Sequence, residues 1–165
     1  ALIKNQIWEL DLKNKKIKET ANGNGLIIKE EGGLQLQFTG SPNRFTDELL
    51  INYPENNSRI SFGSLFNDSK IITLPEKCAI NGFKVYCAVP VEVLGNILLP
   101  DDYYKRKFIT QDAFYLINID SQKKSAAAEL VYDPEIQIDA VDLTVNDGKL
   151  YFINRVDSRL YSVKL

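Results

Sequence analysis

One strand pattern recurs three times along the chain and limits the folds open to it. It reads Ile7-Trp8-Glu9-Leu10-Asp11-Leu12 near the start, Phe114-Tyr115-Leu116-Ile117-Asn118-Ile119 further on, and Leu160-Tyr161-Ser162-Val163-Lys164-Leu165 at the end. Each copy sets an apolar residue and an aromatic ahead of alternating polar and aliphatic positions. Alternation with period two marks a half-buried strand. Its return at intervals of tens of residues marks a repeat architecture. All-β repeats of this kind most often build the blades of a propeller.

A second unit alternates with the first. It is a hairpin: a short strand, a turn with glycine, then a stronger strand. One copy runs from Leu26-Ile27-Ile28 through Glu31-Gly32-Gly33 to Leu34-Gln35-Leu36-Gln37-Phe38. Another joins Cys78-Ala79-Ile80 to Lys84-Val85-Tyr86-Cys87-Ala88-Val89 across Asn81-Gly82, and a last joins Leu143-Thr144-Val145 to Lys149-Leu150-Tyr151-Phe152-Ile153-Asn154 across Asn146-Asp147-Gly148. Third strands are expected at Arg59 to Leu65, Ala113 to Ile119 and Arg159 to Leu165, with Gly63 and Ser64 interrupting the first of them. Fourth strands are expected at Ile17 to Thr20, Ile71 to Leu74 and about Ala127 to Tyr132, where Ala126-Ala127-Ala128-Glu129-Leu130 equally suits a helical turn. The reading is an all-β, β-propeller-like domain over residues 1–165, with about three to four antiparallel four-stranded blades.

The count does not close a ring. The chain opens on a third and a fourth strand and ends on a third, whereas propellers are built from at least four blades. An open piece would leave apolar blade faces and strand edges bare. Either the chain is the C-terminal part of a larger propeller, with blades upstream, or a second copy or another partner completes the ring. The absence of methionine anywhere in the chain suggests a mature or trimmed product.

Two insertions interrupt the regular spacing. Thr39 to Ser58 carries the turn clusters Ser41-Pro42-Asn43 and Tyr53-Pro54-Glu55-Asn56-Asn57, with Leu49-Leu50-Ile51 between them as a short strand or one turn of helix. Pro90 to Asp112 holds Pro100-Asp101-Asp102-Tyr103-Tyr104-Lys105-Arg106-Lys107. Long connections on a regular scaffold are where binding concentrates.

Charge and composition remove several function classes. A net charge of -2 offers no basic face for nucleic acid. No run of about 18 apolar residues is present to insert into a membrane. The chain has no histidine, which removes the commonest general base and metal ligand. Serine–histidine–acid hydrolysis and zinc sites with histidine ligands are thereby excluded within it. No cofactor and no catalytic residue are expected.

The cysteines, Cys78 and Cys87, sit about equally far from a turn centred near Gly82 and Phe83. Residues opposite one another in a hairpin share a face, with Cβ atoms within disulfide reach in a non-hydrogen-bonded pair. A disulfide there would place the protein outside the reducing cytosol. Two small buried apolar residues are the other reading.

Among candidate site residues, Asp101, Asp102, Tyr103, Tyr104 and Arg106 form the expected partner-binding patch, because Tyr and Arg are enriched where interfaces carry their energy. The adjacent carboxylates alone fall short of a calcium loop, and a solvated turn with its tyrosines packed on a blade edge is the plainer reading. Asp133, Glu135, Asp139 and Asp142 make an acidic stretch. It reads as a linker rather than as the carboxylate pair of glycoside hydrolysis. Trp8 occupies the same repeat position as Tyr115 and Tyr161 and reads as blade packing rather than as a sugar platform.

The stretches Leu74-Pro75-Glu76-Lys77-Cys78, Val85-Tyr86-Cys87-Ala88-Val89-Pro90, Pro100-Asp101-Asp102-Tyr103-Tyr104 and Phe114-Tyr115-Leu116-Ile117-Asn118, with the ending Tyr151 to Ser162, resemble a group of uncharacterised bacterial propeller proteins of the TolB/WD40-like type. In that group a cysteine pair flanks the same hairpin. The likeness covers residues 74–165 well and residues 1–73 only in blade pattern. It implies an exported or membrane-anchored propeller at the cell envelope, with Leu165 near a natural C-terminus. Ala79-Ile80-Asn81-Gly82 departs from the Trp-Ser-x-Asp turn of such blades, so an aspartate-box calcium contact is not implied. The expected function is a non-enzymatic, extracytoplasmic binding or scaffold module that presents loops to a protein or glycan partner. The alternatives are an accessory propeller domain of a larger envelope hydrolase and a self-assembling surface protein.

Overall fold

A computed structural model describes residues 4–41, 47–53, 58–66, 71–92, 97–120 and 122–165. The described chain is all-β, with four antiparallel sheets that follow one another in sequence. The first sheet pairs β1 (Lys4–Asp11) with β2 (Lys16–Asn24). The second runs β3 (Ile27–Glu31), β4 (Leu34–Thr39), β5 (Glu48–Tyr53), β6 (Ser58–Ser61). The third runs β7 (Cys78–Asn81), β8 (Lys84–Pro90), β9 (Asp112–Asp120), β10 (Ser125–Tyr132), and the fourth β11 (Ala140–Asn146), β12 (Lys149–Asn154), β13 (Arg159–Lys164). Every sheet is a simple meander of consecutive strands, joined by short turns except where the two insertions connect β4 to β5 and β8 to β9.

The period-two patterns fix which face each strand buries. Leu34, Leu36 and Phe38 of β4 point inward with Leu49 and Ile51 of β5, while Gln35 and Gln37 point away. They meet Cys78, Ile80, Val85, Cys87 and Ile117 from the third sheet in one core. Alternate residues of the same strands, Ala79, Tyr86, Ala88 and Phe114, pack on Ala140, Leu143, Leu150 and Phe152 of the fourth sheet in a second core. The third sheet is thus buried on both faces, which explains why Val85 to Val89 reads as an unbroken apolar run. The second, third and fourth sheets stack face to face in chain order.

Two strands differ from the sequence reading. The third strand of the second sheet is β5, not Arg59 to Leu65. Leu49 and Ile51 offer the alternation that the core needs, whereas Gly63 to Phe66 coils into a 3-10 turn. Ser58–Ser61 becomes the fourth strand instead. Ile71 to Leu74 forms no strand and packs irregularly against the first core. The alanine-rich segment is the strand β10, pairing with β9; tertiary pairing overrides alanine's helical preference. Residues 42–43, 54–57 and 94–96 of the insertions lie outside the described residues.

The first strands of the three larger sheets, β3, β7 and β11, each form an edge of their sheet. They lie beside one another around a 3-10 turn at Pro75–Lys77. The second insertion folds back toward this point. Its short helix α1 (Asp101–Tyr104) follows Pro100, which packs so tightly on Gly25 that a Cβ there would lie 2.5 Å from the proline Cδ. Gly25 also has φ +55°, a left-handed conformation natural to glycine. Among the described residues no helix is long and apolar enough to cross a membrane.

Candidate functional site

Four chain segments converge where β7 and β11 begin: the Pro75–Lys77 turn, α1, residues 110–112 and the turn after β12. Lys77 is 1% exposed, and Asp112 and Asp139 are fully buried. The Lys77 ammonium lies 2.7 Å from Asp112 Oδ2 and 2.8 Å from Asp139 Oδ1. It also donates to Thr110 Oγ1 at 2.8 Å. The Tyr103 hydroxyl donates to Asp139 Oδ1 at 2.8 Å, and Arg155 pairs with Asp139 Oδ2 at 3.1 Å. Backbone groups complete the set: Ala140 N–H donates to Asp112 Oδ2, and Asp139 N–H to Asn154 Oδ1.

Two cations and two carboxylates balance one another, which is what allows such charges to be buried. Their environments still differ. Burial pushes the Asp112 carboxyl up, against the opposing pull of Lys77. Burial also acts to raise Asp139, but the charge and hydrogen bond of Lys77, the Tyr103 hydroxyl and Arg155 outweigh it and hold it below its ordinary value. Tyr103 is raised well above the usual phenol range, first by burial and then by the Asp139 charge.

Above this cluster is an open cleft of about 420 Å³ lined by Glu76, Tyr103, Tyr104, Arg106, Val141, Asp142 and Arg155. The 3-10 turn separates adjacent charges, sending Lys77 into the core and Glu76 to the cleft. The Tyr104 hydroxyl donates to Glu76 Oε2 at 2.6 Å. Burial raises the Glu76 carboxyl, partly offset by that hydrogen bond. Lys29 of β3 donates to the Cys78 carbonyl and feels the charges of Asp142 and Glu76. Asp142 sits in a β-bulge of β11 with φ +54°. Bulges re-aim side chains beside functional sites. A left-handed non-glycine residue within a strand is strain that clusters at such sites.

The expected partner-binding patch divides. Tyr104, 55% exposed, and Arg106 line the cleft. Tyr103 is 3% exposed and reaches the cleft while its hydroxyl serves the buried cluster. Asp101 and Asp102 are buried and anchor α1: Asp102 accepts the Leu98 N–H and pairs with Lys107 at 2.6 Å, and Lys105 approaches Asp101 at 3.9 Å. The hydrogen bond from Lys107 holds the Asp102 carboxyl below its ordinary value. The acidic stretch divides too. Asp139 is in the buried cluster, Asp142 is in the cleft, and Asp133 and Glu135 are exposed. Trp8 is 54% exposed on the first sheet.

Cys78 and Cys87 face each other across β7 and β8 with their sulfurs 2.13 Å apart, at bonding distance, and both are fully buried. Sequence reasoning missed Glu76, Lys77, Thr110, Asp112, Asn154 and Arg155. No motif links them, since Lys77 and Asp139 are 62 positions apart. The one local sign is a charge set directly before a hydrophobic strand, as at Lys77-Cys78. Among the described residues, no group of three or more acidic or cysteine side chains is gathered to hold a metal ion. Neither a protein-family model nor a curated protein matches this chain.

Proposed function

We propose that this chain is part of a β-propeller acting as a non-enzymatic, extracytoplasmic binding module, and that its ligand cleft is the one at the meeting point of β3, β7 and β11. One observation carries the reading. The first strands of three consecutive meanders lie against one another while the sheets stack face to face. That is how propeller blades surround an axis. Lys29, Glu76, Asp142, Arg106 and Tyr104 then stand near one end of that axis as a mixed-charge rim for a protein or glycan partner. The buried disulfide supports a compartment that is not reducing.

Selection from a displayed peptide library and a glycan array tests the reading. Enriched ligands that the intact chain binds, and that Tyr104→Ala with Arg106→Glu no longer binds, support it. Ligands bound equally by that variant, or no ligand from either source, overturn it.

A second reading rests on a different observation. Among the described residues the first sheet has two strands, and the hairpin they form exposes Trp8, Leu10, Leu12 and Ile17. An apolar strand pair with open edges favours self-association, through either another copy or further blades.

A further inference from the structure

The geometry points to an intramolecular amide between Lys77 and Asp112, formed by the chain itself. The inference is independent of the ligand reading above. The reacting pair is already in place: Lys77 Nζ lies 2.7 Å from Asp112 Oδ2, and both side chains are shut away from water. What singles out Asp112 is the asymmetry of its two oxygens. Oδ2 is held by the Ala140 N–H at 2.8 Å as well as by Lys77. Oδ1 is buried and has no hydrogen-bond partner. An unsatisfied buried carboxylate oxygen carries a full desolvation cost. Amide formation removes that atom.

The step balances within the cluster. The Lys77 ammonium passes one proton to the Asp112 carboxylate, giving a neutral amine and a neutral acid that carries the proton on Oδ1. The amine nitrogen attacks Cγ, and the negative charge that develops on Oδ2 is met by the Ala140 N–H, as in an oxyanion hole. Asp139 Oδ1, 2.8 Å from Nζ, takes a second proton from the nitrogen and returns it to Oδ1. The C–Oδ1 bond breaks and the oxygen leaves as water, carrying both protons. The new amide keeps Oδ2 as its carbonyl oxygen on Ala140 and retains one N–H. Asp139 ends as it began, a carboxylate held by Arg155 at 3.1 Å and by Tyr103. Asp139 is therefore the proton relay, and Thr110 and Tyr103 position it.

The product would tie the turn before β7 to the start of β9, adding a second covalent link to the sheet that already holds Cys78–Cys87. Intact mass spectrometry of the purified chain, followed by tryptic peptide mapping, tests this. The expected mass is that of the sequence less the disulfide hydrogens and one further water. Trypsin should fail to cut after Lys77, and one branched peptide should contain both Lys77 and Asp112. In Asp112→Asn the same attack expels ammonia, so the mass loss changes from water to ammonia; in Lys77→Arg it vanishes. An unreduced mass, with cleavage after Lys77, would show an ion pair only and overturn the proposal, and both are read on the wild-type chain whether or not the variants fold. A water loss that maps to a succinimide at another aspartate would also overturn it.

Discussion

The guanidinium carbon of Arg155 lies 3.7 Å from the centroid of the Tyr103 ring, and Arg155 Nη2 donates to the carbonyl of the same tyrosine at 3.1 Å. This contact joins the buried ion cluster to the cleft, because Tyr103 turns its hydroxyl to Asp139 and its ring to Arg155. Tyr103→Phe keeps the ring and removes a hydrogen bond to a carboxylate. It should cost about 1.5–3 kcal/mol in urea unfolding. Arg155→Lys should lose more than a charge-conserving change ordinarily does, since lysine has neither the planar stack nor the fork. A Tyr103→Phe variant as stable as the wild type would show that the hydroxyl bond contributes nothing net.

The disulfide closes a short loop, with a sequence separation of 9. Loop-closure entropy for so short a loop is worth roughly 2–3 kcal/mol. Cys78→Ala with Cys87→Ala should lower stability by about that amount with β-sheet circular dichroism retained. Thiol titration of the unfolded, unreduced wild type should find no free thiol; two free thiols would show that the pair is reduced.

Acid should weaken the fold through Asp139. Its carboxyl is held below the ordinary value in the folded protein, so the unfolded chain takes up its proton at the higher pH. The stability from this group is fully present above about pH 3.9, the unfolded value. It is lost as pH falls through the lower folded value. Melting temperatures across pH should therefore show an acid limb that is shallower in Asp139→Asn. Asp112 acts in the opposite sense as a free carboxyl: burial raises it, so stability would fall as pH rises through its raised value. An amide to Lys77 abolishes that second slope, which the same titration reads in Asp112→Asn against wild type.

Leu10 and Ile17 pair across the first hairpin and are 53% and 67% exposed. Light scattering on a sizing column should find a dimer or larger species for the wild type and a monomer for Leu10→Lys with Ile17→Lys. A wild type that is monomeric at all concentrations would remove the self-association reading.

The sequence by itself determined the strands and most of their pairing. Turn residues such as Asn81-Gly82 and Asp147-Gly148 set hairpin registers within a few residues, so Cys78 opposite Cys87 could be read from spacing alone. Alternation told which side chains enter the core. It did not say which of two neighbouring segments becomes a third strand: β5 took that place because Leu49 and Ile51 alternate into the core shared with the third sheet, while Gly63 to Phe66 leaves the strand as a 3-10 turn. Only the tertiary structure decided the fate of the polar residues. Lys77, Asp112 and Asp139 come from separate strand entries, and beyond its place directly before a hydrophobic strand no local feature marks Lys77 for the interior. The same holds for Asp101 to Arg106, a single run whose aspartates turn inward as anchors while Tyr104 and Arg106 face the cleft. Burial of a charge depends on a partner of opposite sign arriving from elsewhere in the chain, and that depends on how the sheets stack.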